Sequence, residues 1–278
     1  QGGFYRFSYD ITESLNLGKK NQLEVKVAKE SANRSINAAE RKADWWLFGG
    51  IYRPVWLEVL PQIHMKHFVL SADHKGKFQA SIDMEGDAKG HEIVVSVRSL
   101  KDGKTVYTSN GQTTITHPIN NSGKEQMISG EWTNIVPWST EAPNLYVVKL
   151  ELKNPEGKIV QTRETRIGFR TVEFFPQDGV YLNGTKLVIK GINRHSFSVD
   201  GGRTTNAALS RMDAQLIKEM NMNAVRSHYP PDEHFLDMCD SLGLVYMDEL
   251  AGWQNSYDSK VCLLYTSPSP RDYAAPRM

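Results

Sequence analysis

The sequence predicts a multidomain chain, with all-β sandwich layers over its first three-fifths and a parallel α/β unit after them. Three observations carry this. Short runs alternate apolar and polar residues with period two as far as Ile167. Beyond the Asn183-Gly184 turn signal the period lengthens, twice, to that of a helix. Each helical run is followed by a short apolar segment, as expected of a strand covered on both faces.

The elements follow in order. Phe4 to Asp10, Leu23 to Val27 and Val55 to Val59 alternate strictly, so strands with one buried face are expected there. Residue 1 is Gln and a strand is already under way, so the natural N-terminus is expected upstream. Lys77 to Met84, Ile93 to Arg98, Leu145 to Leu152 and Lys158 to Ile167 form a second set of strands. Turn signals at Lys101-Asp102-Gly103-Lys104 and Asn154-Pro155-Glu156-Gly157 separate them. Short strands with regular turns predict a sandwich over 62–170. His117 to Gly130 is polar and reads as a long surface loop.

After Arg170, Val180-Tyr181-Leu182-Asn183-Gly184 up to Ile189 predicts a hairpin, because Asn-Gly accepts positive φ. Leu209, Met212, Leu216, Ile217 and Met220 predict one helix, with those residues as its inner stripe. Asn223-Ala224-Val225 predicts a buried strand. A second helix has Pro231 near its start, Phe235, Leu236, Cys239 and Leu242 inside, and Gly243 as its stop. Leu244 to Met247 is the next strand. The order β-α-β-α-β implies parallel strands. A closed eight-stranded barrel takes ~250 residues, so this unit reads as the beginning of a larger domain. Val261 to Met278 has neither period and reads as a non-native tail, set aside from the fold.

Composition narrows the function. The chain has 278 residues, 40% apolar and 23% charged, which is globular. Its 33 Lys+Arg against 32 Asp+Glu leave +1, without the basic surplus of a nucleic-acid binder. There is no apolar run long enough to span a membrane. Two cysteines exclude a disulfide scaffold and a four-cysteine zinc site, and leave the compartment open.

Parallel α/β units gather their active sites at the carboxyl ends of strands. The first strand end offers Asn193, Arg194 and His195. The second offers Arg226, Ser227, His228 and Tyr229, and the third Asp248 and Glu249. Any one of them alone reads as well as a loop residue bonding its neighbours. Three polar clusters at matching positions favour a site. Arginine, histidines and carboxylates suit a hydroxyl-rich ligand. Trp45, Trp46, Tyr52, Trp132, Trp138 and Trp253 could stack on sugar faces, although a sandwich tryptophan is more often core.

These residues resemble a known family. Asn223-Ala224-Val225-Arg226-Ser227-His228-Tyr229-Pro230, with Phe235-Leu236, Asp240 and Gly243-Leu244-Val245-Tyr246-Met247, is similar to the first signature of glycoside hydrolase family 2, the β-galactosidases, β-glucuronidases and β-mannosidases. Gly191 to His195, Asp44 to Val55, Ala142 to Tyr146 and Ile167 to Arg170 resemble other segments of it. The resemblance implies a jelly-roll part over 1–61, an immunoglobulin-like sandwich over 62–170, and the first third of a (β/α)8 TIM barrel over 171–260. It implies a retaining enzyme of β-linked oligosaccharides or glycosides, β-D-galactosides foremost, from a homo-oligomeric parent.

Carried over by position, Arg194, His195, Arg226, His228, Asp248 and Glu249 line the sugar pocket. Asp44 reaches in from the first domain behind a charged loop, Ser31 to Lys42, unless it is a salt-bridge or turn residue. Two glutamates perform the family's chemistry, the acid/base within an Asn-Glu pair. This sequence has no Asn-Glu dipeptide, and by resemblance Glu249 shapes the site rather than reacting. The chain is therefore expected to bind sugar weakly and not to cleave it. Where many relatives carry a metal-binding Glu-x-His, this chain has Trp253, Gln254 and Asn255, so no metal and no cofactor are expected. The competing reading is a non-catalytic carbohydrate-binding or adhesion module. Within the family, β-glucuronide or β-mannoside specificity stays open.

Overall fold

The computed structural model describes residues 3–249 apart from 5, 43–47 and 122. Residues 6–33 and 48–63 form no strand. The strands expected at Phe4 to Asp10, Leu23 to Val27 and Val55 to Val59 are thus not formed among the described residues. An alternating segment becomes a strand only when another strand pairs with its backbone, and none does here, so Phe7, Val25, Trp56 and Val59 lie exposed. The Ser31 to Lys42 segment is not a loop: it holds helix α1 (Arg34–Arg41). The Asn33 side chain caps it, accepting from the backbone N–H of Ser35 at 2.8 Å and of Ile36 at 3.2 Å.

Eleven strands follow before the α/β unit, the first ten being β1 (His64–Ala72), β2 (Lys77–Glu85), β3 (Glu92–Ser99), β4 (Tyr107–Thr108), β5 (Thr114–Pro118), β6 (Glu125–Thr133), β7 (Tyr146–Lys153), β8 (Ile159–Ile167), β9 (Val172–Phe175) and β10 (Gly179–Leu182). Two four-stranded antiparallel sheets, ordered β1-β2-β6-β4 and β5-β3-β7-β8, pack face to face as an immunoglobulin-like sandwich. Phe78, Ile82, Ile128 and Trp132 from one sheet meet Ile93, Val95, Val148 and Leu150 from the other.

His117 to Gly130 is the clearest departure from the expected surface loop. It carries the end of β5 and most of β6, and β6 pairs with β2 from Lys77↔Glu131 to Asp83↔Glu125. The inward positions of β6 include Gln126 and Gly130, so its alternation is hidden. Gln126 is buried but bonded, donating to the Gly123 carbonyl at 2.7 Å.

Strand β11 (Thr185–Leu187) pairs with β10, and β10 with β9, as a small antiparallel sheet. The β10–β11 turn places Asn183 at φ 53° and Gly184 at φ 78°, the left-handed pair that Asn-Gly predicts. The α/β unit then runs β12 (Gly191–Asn193), α2 (Ala207–Glu219), β13 (Ala224–Arg226), α3 (Glu233–Leu242), β14 (Val245–Met247). Its strands are parallel, in the order β12-β13-β14, as the β-α-β-α-β order implies.

One sheet face packs on the helices through Val225, Tyr246, Phe235, Cys239, Ala214 and Ile217. The stripe expected on α2 is borne out at Ile217, but the buried face is turned away from most of the rest. Ser210, Ala214 and Ile217 are buried, while Met212, Leu216 and Met220 are about half exposed. Small residues let α2 approach α3 closely, and the Ser210 hydroxyl meets His234 Nδ1 at 2.7 Å. Helix α3 buries Phe235 and Cys239 and ends at Gly243, φ 74°.

The sandwich fixes the sheet from below. Trp138 and Leu145 pack with Leu182, Ala224 and Val245. Trp138 Nε1 donates to the Asp240 carbonyl at 2.7 Å, and Lys218 Nζ to the Thr140 carbonyl at 3.0 Å. Arg166 pairs with Asp237 at 2.6 Å. Trp132 and Trp138 are fully buried, so neither offers a face to ligand.

Candidate functional site

The register sets which side chains meet. Asn193, Arg226 and Met247 stand side by side on neighbouring strands, as do Ile192, Val225 and Tyr246 one residue earlier. Neighbours along a strand point to opposite faces. Ile192, Val225 and Tyr246 face the helices, so Asn193 and Arg226 project from the other face.

Arg226 organises that face. Its Nε donates to Glu249 Oε2 at 2.8 Å, and Nη2 pairs with the same oxygen at 2.5 Å. Nη1 lies 3.3 Å from Asn193 Oδ1 and 3.2 Å from His228 Nε2. The His228 ring stacks on His195, with centroids 4.8 Å apart and planes 7° from parallel. His195 Nδ1 is 3.2 Å from the Tyr229 hydroxyl, which also accepts the Ser196 N–H at 3.1 Å. The three strand ends are thus joined through polar contacts into one group. Asp248 caps the backbone beside it, its Oδ1 accepting the Glu249 N–H at 2.9 Å, and its own position is exposed.

Arg194 is not brought into this group. Its side chain lies under the helices, with Nε 2.8 Å and Nη2 2.7 Å from Asp213 Oδ2 on α2, and Nη1 3.1 Å from Ser196 Oγ. Its guanidinium carbon sits 3.9 Å above the Phe235 ring centroid. The cause is strand alternation: Arg194 falls in step with Ile192, not with Asn193. Asp44, with Trp45, Trp46 and Trp253, lies outside the described residues.

A second layer holds the group from the N-terminal segment. Phe4 stacks on Tyr229 with centroids 4.9 Å apart. Arg203 lies 4.2 Å from the Tyr229 ring and 4.9 Å from Phe4. Arg53 donates to the Pro230 carbonyl and lies 3.3 Å from Asp232. Burial pushes the phenol of Tyr229 up, and that of Tyr246 further, so both remain protonated donors. Tyr246 OH donates to Ser227 Oγ, which donates in turn to the Tyr229 carbonyl at 2.6 Å.

The strand-end reading included Asn193 and Tyr229, although neither was among the residues carried over to the sugar pocket, and it missed Arg203. Arg203 sits in an aperiodic Gly-Gly-Arg loop that carries no signal at all. Among the described residues no three His, Cys, Asp or Glu side chains converge as a metal site, and no helix is long and apolar enough to cross a membrane. The arrangement offers hydrogen-bond donors and acceptors of fixed direction, with its arginine already charge-paired.

Comparison with known proteins bears on this geometry. The sequence model described as "Glycosyl hydrolases family 2" matches residues 62–170. The one described as "Glycosyl hydrolases family 2, TIM barrel domain" matches residues 176–267. A β-galactosidase of Thermoanaerobacter pseudethanolicus is 33% identical over 93% of this chain and 35% of its own length. A putative β-glucuronidase of Formosa agariphila is 31% identical over 90% of this chain and 30% of its own. The crystal structure of a Bacteroides uniformis β-glucuronidase superposes with a TM-score of 0.66 at 28% identity, over 81% of this chain and 28% of that one. The chain spans about a third or less of the length of these relatives.

Proposed function

The chain belongs to glycosyl hydrolase family 2, and from that premise we propose that it is the sugar-binding start of a retaining β-glycosidase acting on terminal β-D-galactosides. The observation that carries the reading is the joined group Asn193–Arg226–Glu249 with the stacked pair His195–His228 at the carboxyl ends of three parallel strands. His195, Arg226, His228 and Glu249 bind or orient the glycone hydroxyls, with Asp248 at the rim. Asp44 belongs to the same proposal on the strength of resemblance alone.

Retention needs two carboxyl groups ~5–5.5 Å apart, one acid/base and one nucleophile. Glu249 is engaged by Arg226 through two nitrogens, which suits a carboxylate that shapes the site rather than one that reacts. The 278-residue chain therefore binds glycosides without cleaving them. A neutral glycone is favoured over glucuronate, because Arg226 is neutralised by Glu249 and Arg194 by Asp213.

The test is binding and turnover on one preparation. Methyl β-D-galactoside should shift the His195 and His228 ring resonances, and methyl β-D-glucuronide should do so less. Nitrophenyl β-galactoside should not be hydrolysed. Retaining hydrolysis by this chain would mean that its reactive carboxylates have been misassigned. Absence of any sugar-dependent shift would remove the site.

A further inference from the structure

The loop after β13 carries His228 and Tyr229, and its own backbone has few donors to hold it. Pro230 and Pro231 follow in succession, and neither has an N–H. Within the loop, Ser227 Oγ donates to the Tyr229 carbonyl at 2.6 Å. The next carbonyl, that of Pro230, accepts from outside. Its donor is Arg53 Nη2, from the N-terminal segment.

The other nitrogens of Arg53 serve the same junction. Nη1 donates to the Phe4 carbonyl at 3.3 Å, and Nε lies 3.3 Å from Asp232 Oδ1. Asp232 stands at the N-cap position of α3, where an aspartate ordinarily accepts N–H groups of the first turn. Its side chain makes no such bond here. One oxygen faces Arg53, and the other accepts the Thr205 hydroxyl from the loop ahead of α2. A buried carboxylate has to be paired, and these contacts take the place of the cap. Arg203, in that same loop, returns the contact: its guanidinium lies over Phe4 at 4.9 Å and Tyr52 at 5.9 Å, and over Tyr229 at 4.2 Å. The N-terminal side is itself tied together. The Tyr52 hydroxyl donates to the Gly3 carbonyl at 2.6 Å, and the Gly3 N–H to the buried Glu40 at 2.9 Å.

We propose that Arg53 is a positioning residue: its guanidinium, anchored in the N-terminal segment, fixes the loop 227–232 and through it the stacked His195–His228 pair. The link is short. Tyr229 precedes Pro230 and has its hydroxyl 3.2 Å from His195 Nδ1, and His228 stacks on His195 at 4.8 Å. The Phe4 carbonyl, the Pro230 carbonyl and Asp232 are met by three different nitrogens, which a planar fork supplies and a single ammonium does not. The proposal rests on the proposed sugar site for what the loop serves, and not for the anchoring itself.

Arg53→Lys and Arg53→Met in the 278-residue chain, with no sugar present, test it. The readouts are the ¹H–¹³C resonances of the histidine rings and hydrogen exchange of a peptide covering 227–235, with His117 on β5 as the remote reference. In both variants the His195 and His228 rings should shift and exchange over 227–235 should rise about tenfold or more, while His117 stays at its wild-type position. Lysine keeps the charge and the stem, so it should not restore the wild-type spectrum. The proposal is overturned if Arg53→Met leaves both rings and the loop exchange unchanged. It is overturned equally if Arg53→Lys matches wild type, since charge alone would then suffice, or if His117 moves as much as His228, which would make the effect one of general stability. Should the methionine variant fail to fold, the lysine variant decides alone. Titration with methyl β-D-galactoside separates the two readings. Rings that move in the variants, with no sugar-dependent shift in wild type, leave the positioning role standing and remove the sugar site. A clear sugar-dependent shift in wild type, with rings unmoved in the variants, does the reverse.

Discussion

Replacing Asp213 with alanine would decide whether Arg194 is a structural cation or a binding residue. Arg194 is 9% exposed, and Asp213 Oδ2 meets two of its nitrogens at 2.8 and 2.7 Å. Removing one partner of a buried pair strands the other charge and costs about 3–5 kcal/mol. Two features pull the value to the lower end. Asp213 is itself 28% exposed, and Arg194 keeps the Ser196 hydroxyl and the Phe235 face. We expect about 3 kcal/mol, lost locally where α2 joins the sheet. Opening of α2 should then become about 10²-fold more frequent. Hydrogen exchange of a peptide covering 207–219, followed by mass spectrometry, reads that factor. Arg194→Met combined with Asp213→Ala should recover most of the loss, because a well-packed apolar pair leaves no stranded charge. A change below about threefold in Asp213→Ala would refute the reasoning, since the guanidinium would then be reaching water and be open to ligand.

Three further outcomes are expected. Gly243→Ala forces an L-residue to φ 74° and puts its Cβ 2.2 Å from the Thr140 carbonyl oxygen, which Lys218 also uses, so the melting temperature should fall by about 5 °C or more in calorimetry. Trp138→Phe removes the donor to the Asp240 carbonyl and should cost about 1–3 kcal/mol in urea unfolding; a smaller loss would mean that the sandwich does not brace α3. Hydrogen bonds from Ser99 and Lys104 hold the Asp102 carboxyl down at about 2. The unfolded chain therefore binds the extra proton first, and this contribution is complete above pH ~4 and lost as the pH falls toward 2. Asp102→Asn should make the melting temperature less sensitive to pH across that window, and equal slopes for the two proteins would count against it.

Much of this molecule was legible as period and punctuation. Apolar-rich runs between turn signals marked β2, β3, β7 and β8, and Asn183-Gly184 marked its hairpin. Gly243 marked the end of α3, and the residue types at three strand ends marked the polar group. These are local properties, fixed by side-chain spacing and by which residues accept positive φ. What needed the tertiary structure was everything that depends on a partner. Strand β6 reads as loop because its inward positions are Gln and Gly, and only pairing with β2 makes them interior. The segments before His64 alternate, yet among the described residues they form no strand, since alternation alone makes no sheet. Helix α2 buries Ser210 and Ala214 beside Ile217 and leaves Met212 and Leu216 half exposed, because its small residues let it approach α3 closely. Arg194 and Asn193 are adjacent in sequence and both polar, yet the strand turns one toward Asp213 and the other toward Arg226, and only the direction of the sheet separates a buried brace from a member of the polar group.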